Sequence, residues 1–127
     1  MKLWQKGTPL DPRIEAFTVG RDPELDQALL PYDCRASIAH ARMLKSVGLL
    51  GAGEAKALIG ELERIVGLWR AGRFRVRPAD EDCHTAIENH LVKTLGAAGK
   101  KIHTARSRND QVLVALRLYG KDRAEEV

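Results

Sequence analysis

Six apolar residues constrain this chain most. In "GAGEAKALIGELERIVGLWRAG", Leu58, Ile59, Leu62, Ile65, Val66 and Trp69 fall on one stripe of a 3.6-residue repeat, while Glu61, Glu63, Arg64 and Arg70 lie mostly off it. A segment with that pattern buries one face and wets the other, so it needs neighbours of the same kind. Helical intervals recur from Pro23 to Val47, through Leu25, Leu29, Ala36, Ala39, Met43 and Val47, and again through Ile87, Leu91 and Leu95. Aromatic residues are only 5% of the 127, against 44% hydrophobic overall. Leu, Ile, Val and Ala must therefore fill the interior, a composition that favours helices. The expected fold class is all-α.

Breakers divide the pattern. Pro31 has no amide hydrogen and crowds the preceding turn, which predicts a short helix followed by a long one from about Tyr32 to Gly48. Gly51 and Gly53 read as a turn between helices, since no strand precedes them as a phosphate loop requires. Gly72 is the natural stop of the amphipathic helix. "FRVRPADED" alternates like a strand until Pro78, and Asp80, Glu81 and Asp82 then suit the positive end of a helix running to Gly96. A last helix is expected from about Asn109 through Val112, Leu116 and Tyr119 to Val127. "DRAEEV" carries no stop signal, so the expectation is a chain cut within a longer helix. The opener "MKLWQKGTPL" is turn-rich, with Gly7, Pro9 and then Pro12, and lacks the apolar core of a secretory signal. No apolar run reaches ~20 residues, so no membrane span is expected.

A formal charge of +4 is mild, and Lys and Arg are mixed with Asp and Glu rather than gathered in a stripe with aromatic residues. Nucleic acid is not expected as a partner. Cys34 and Cys83 stand far apart without a CxxC motif and read as reduced thiols. His84 and Glu88 share a helical face with Glu81 one turn before, but a metal needs a further ligand that the spacing does not supply. No metal or other cofactor is expected, and a salt-linked helix start is the plainer reading. His40 and His90 read as packing or surface residues, and Trp69 as core.

One segment remains. "KKIHTARSRND", residues 100–110, sets Lys100, Lys101, His103, Arg106 and Arg108 around Thr104, Ser107 and Asn109 at the mouth of the last helix. Unpaired amides and a partial positive charge at such a mouth attract carboxylates or phosphates, and Arg grips a carboxylate with two parallel bonds. The same residues also read as an ordinary cap, because Ser and Asn satisfy helix amides themselves. Physical chemistry alone leaves both readings open.

The segment "HTARSRNDQ" resembles the first signature of the argininosuccinate lyases, within the aspartase/fumarase superfamily. Supporting matches follow in order: "KLW" at 2–4, "LDQALLPYDCRASIAHARML" at 25–44, "GLL" at 48–50 and "EDCHTAIENHL" at 81–91. The resemblance implies an N-terminal helical domain over residues 1–108, including the signature loop, and the start of a long central-bundle helix over 109–127. It implies reversible elimination of argininosuccinate to arginine and fumarate, the last step of arginine biosynthesis, in a cytoplasmic homotetramer. By the same similarity Ser107, Arg108 and Asn109 contact the substrate, Thr104 stands close by, and His84 and Asp82 support them from behind. The family's catalytic histidine and serine base belong to later segments, so no catalytic residue is expected here and the 127 residues alone are expected to be inactive. "LWQKGT" departs from the family pattern, and Gly20 stands where a substrate-contacting serine is common; that contact is not carried over. Two alternatives stay open: another lyase of the superfamily, acting on adenylosuccinate or aspartate, and a stand-alone helical module that captures an anion.

Overall fold

The computed structural model describes residues 22–80, 82–106 and 108–126, the side chains at 22–25, 78, 108 and 109 excepted. The expectations for Gly7, Pro9, Pro12, Gly20, Glu81, Ser107 and Val127 lie outside the described residues. The chain runs through α1 (Asp22–Ser46), α2 (Ala52–Arg70), a 3-10 turn (Pro78–Asp80), α3 (Cys83–Leu95), α4 (Ala97–Lys101) and α5 (Arg108–Glu125). No strand occurs among the described residues, and the fold class is all-α. None of these helices is long and apolar enough to cross a membrane.

α1 packs against α2, α3 and α5, and α4 folds back on α3. The core takes Leu30 and Leu44 from α1, Leu58, Leu62 and Ile65 from α2, Ile87 and Leu91 from α3, and Ile102 from the end of α4. Each such side chain contributes roughly 2 kcal/mol by leaving water. The stripe on α2 is thus the core-facing stripe, with Ile59, Val66 and Trp69 packed at its margin. Gly48, at φ +79°, lets the chain leave α1 while the Leu49 and Leu50 amides both donate to the Leu44 carbonyl, at 2.9 and 3.2 Å. Gly99 fits because it has no side chain: a Cβ there would overlap the Leu91 carbonyl of α3.

Pro31 does not divide α1. Its missing amide leaves the carbonyl four residues back, that of Gln27, without a helical donor. The Trp69 indole Nε1 donates to that carbonyl at 2.8 Å. A tertiary bond replaces the lost one, and the helix continues. Trp69 therefore marks the edge of the core and also repairs α1.

The strand-like alternation that begins at Phe74 meets a partner remote in the sequence. The Gln27 side chain donates from Nε2 to the Phe74 carbonyl at 3.0 Å and accepts at Oε1 from the Val76 amide at 2.7 Å. One side-chain amide thus fills the place of a neighbouring strand. His90 lies outside the core but has a partner: its Nε2 is 2.6 Å from Glu61 Oε1, a brace between α3 and α2. Cys34 and Cys83 are both buried and free.

Candidate functional site

Asp33, Ser37 and His40 stand four and three residues apart on α1, which puts them on one helical face. The segment after α4 crosses this face. The His40 Nε2–H donates to the Thr104 carbonyl at 2.8 Å; a carbonyl only accepts, so the proton sits on Nε2. Arg106 turns inward, donating from Nη1 to Ser37 Oγ at 2.8 Å, with Nη2 3.7 Å from Asp33 Oδ1. Ala105, between them, holds φ +56°. The left-handed region costs a side chain about 1 kcal/mol, and here it lets the carbonyl before Ala105 and the side chain after it both reach α1.

The far side of the segment is tied to the same carboxylate. Gln111, in the first turn of α5, donates from Nε2 to Asp33 Oδ1 at 2.9 Å and Oδ2 at 3.0 Å. His84, on α3, brings Nδ1 to 2.9 Å from Asp33 Oδ2, though off the line of an aligned hydrogen bond. Asp33 is fully buried, Ser37 2% exposed and the Arg106 side chain 8%. A buried carboxylate is tolerable only when donors or opposite charge offset it; here Gln111 donates to both oxygens, and Arg106 and His84 stand within ion-pair distance.

Electrostatics follow the burial. Loss of water pushes Arg106 below its ordinary value, opposed by Asp33. Burial also pushes His40 down, with Arg106 and His103 acting the same way and the bond to Thr104 opposing. The Cys83 thiol is driven up by burial and then by Asp33, Asp26 and Asp82. Asp26, beside the start of α3, rises from 3.8 to about 6, through burial first and the Asp82 charge second.

The residues expected from sequence fall in different places. Thr104 is on the loop, exposed by its side chain and anchored by its carbonyl. Arg108 and Asn109 occupy the first turn of α5, their side chains outside the described residues. His84 lies buried behind the loop, where it shares a small cleft with Glu88, His103, Arg106 and Gln111. Asp82 caps α3, accepting from the Thr85 amide at 2.8 Å. Not every basic residue of 100–110 faces outward as a donor: Arg106 is an internal anchor, and Lys101 Nζ pairs with Glu54 Oε2 of α2 at 2.6 Å. His40, read from sequence as packing or surface, is a loop anchor.

Asp33, Ser37 and Gln111 were missed. The polar spacing of Asp33 and Ser37 on α1 was visible, but nothing local said that Arg106 and Gln111, 69 and 78 positions later, would fold onto it. Asp33, Cys83 and His84 also bring one ligand atom each within 4.8 Å of one another, a grouping that spacing could not reveal. Both Asp33 oxygens already accept from Gln111, so Asp33 serves as a hydrogen-bonded hub between α1 and α5.

The described residues form a helical scaffold that ties residues 104 and 106 on one side and Gln111 on the other to α1. Residues 5–127 match the lyase family model, and the chain belongs to that family. Within it, the chain is similar to proteins named argininosuccinate lyase. That of Thermotoga neapolitana is 53% identical over 126 residues, covering 99% of this chain and 32% of the relative. That of Sorangium cellulosum is 50% identical over 127 residues, covering 100% and 30%. That of Phocaeicola vulgatus is 46% identical over 126 residues, covering 99% and 28%. The chain therefore spans 28–32% of the length of these curated relatives.

Proposed function

We propose that this chain supplies the carboxylate-recognition segment of an argininosuccinate lyase, which cleaves argininosuccinate reversibly to arginine and fumarate. The observation that carries the reading is the anchored loop: Thr104, Arg106 and Gln111 are fixed to α1, and the helix mouth at Arg108 opens between them. Identity of 53% to a protein of that name supports the substrate.

In this reaction a base removes a proton from the carbon beside a carboxylate, negative charge gathers on that carboxylate, and the carbon–nitrogen bond breaks as an acid protonates the leaving guanidinium nitrogen. Donors already aimed at the carboxylate stabilise the charge without reorganising. Ser107, Arg108 and Asn109 are assigned to that contact, with Thr104 beside them and His84 and Asp82 behind. Arg108 has the planar fork to hold both oxygens. The proton-moving histidine and serine belong to segments outside these 127 residues, so the chain alone is expected to be inactive, and the step needs no cofactor.

Residues 1–108 form the N-terminal helical domain in this reading, and 109–127 open a central-bundle helix. Leu113, Val114 and Leu116 are 46%, 42% and 46% exposed on α5, apolar surface that a homotetrameric bundle would cover. The expected setting is the cytoplasm. The test is an assay of a full-length enzyme carrying this segment with argininosuccinate, adenylosuccinate and aspartate in parallel. Turnover confined to argininosuccinate supports the proposal; preference for either other substrate, or fumarate release by the purified 127-residue chain, contradicts it.

A further inference from the structure

The loop's substrate contacts can serve only if the loop is held in one pose, and the polar face of α1 is where it is held. We infer that Asp33, Ser37 and His40 are positioning residues, a stripe on α1 that orients the substrate-carboxylate loop without touching substrate. This inference rests on the carboxylate reading proposed above.

Three observations carry it. The attachments bracket the assigned contacts: Thr104 and Arg106 are tied on one side and Gln111 on the other, leaving residues 107–110 between them. Each attachment is directional, a hydrogen bond or charge contact, whereas Leu30, Ala41 and Leu44 of the same helix pack through apolar contact, which fixes no donor direction. The attachments also flank the single non-glycine residue with positive φ among the described residues, Ala105, so they hold a conformation the chain would not keep unaided. Stability alone would be served as well by an apolar seam, since replacing buried ion pairs by packed hydrophobic groups is often neutral or better. What the polar seam adds is a fixed orientation.

His40 gives the cleanest test, because replacing Asp33 removes the partner of a buried guanidinium and endangers the fold. His40→Ala deletes the donor to Thr104, whereas His40→Gln keeps an Nε2–H able to reach the same carbonyl. Two measurements are paired: amide exchange at residues 104–111 in this chain, and steady-state kinetics of a full-length enzyme carrying it. Expected for His40→Ala are at least tenfold faster loop exchange with α2 unchanged, and at least a tenfold fall in kcat/KM for argininosuccinate. His40→Gln should recover most of both while unfolding at the same temperature as His40→Ala. Loop exchange equal to the parent, or no rescue by glutamine, overturns the inference. Faster, rescuable exchange with unchanged kinetics instead overturns the assignment of the loop to substrate and leaves the anchor standing.

Discussion

α1 joins its neighbours through two seams of opposite character. Toward α2 it offers Leu30 and Leu44 to Leu58, Leu62 and Ile65, a contact built from shape and loss of water. Toward the loop and α5 it offers Asp33, Ser37 and His40 to Arg106, Gln111 and the Thr104 carbonyl, a contact built from aligned donors and acceptors. The first kind of seam stabilises in proportion to area and tolerates substitution of similar volume. The second gains little net stability when complete and fails badly when half removed. One helix thus serves as core on one face and as a polar anchor for the loop on another.

Substitutions separate the seams. The largest loss is expected for Asp33→Ala, which leaves Arg106 buried without its charge partner, a defect that costs about 3–5 kcal/mol; a loss under 1 kcal/mol in denaturant unfolding would show that the guanidinium does not depend on Asp33. Leu62→Ala on the apolar seam should cost about 3 kcal/mol through lost transfer energy and a cavity, with loop exchange changing only as global stability changes. Loop exchange that accelerates ahead of global opening would erase the distinction. Gly99→Ala probes a third type of contact, backbone against backbone, where the new Cβ meets the Leu91 carbonyl. A rigid overlap of that kind should cost about 2 kcal/mol, and a neutral result would mean that α4 can lift from α3 freely.

The smallest stability effect is a gain. Asp26 is raised from 3.8 to about 6 in the folded chain, so folding favours its protonated form. Its contribution is most favourable below pH 3.8, is lost progressively as pH rises to about 6, and is flat above. Asp26→Asn removes that decline. With the group half exposed and screened by water, the gain at pH 7 should be about 1 kcal/mol. Thermal midpoints of parent and variant should converge on acidification; a difference that does not depend on pH would contradict the assignment.

What was legible in the sequence follows the same division. Periodicity located the α2 stripe because an apolar face repeats locally, and Leu58, Leu62 and Ile65 are all buried. The reading of Pro31 as a break was wrong, because the repair comes from Trp69, remote in the sequence. The alternation from Phe74 to Arg77 has no strand to pair with among the described residues, and the Gln27 amide takes that role. That a polar connection precedes the last helix was legible from the motif. The template beneath it was not: each anchor is a single polar pair bridging 64 to 78 positions, and no local pattern encodes such a pair.

The proposed role of the helix mouth at Arg108, receipt of a substrate carboxylate, rests on one side chain. Arg108→Lys tests it most directly in a full-length enzyme carrying this segment, because the charge remains while the two-pronged grip is lost. The expected result is a fall in kcat/KM for argininosuccinate of about 100-fold, the scale typical of losing one donor to a developing oxyanion, with the unfolding temperature unchanged. Turnover equal to the parent would mean that Arg108 does not grip the carboxylate.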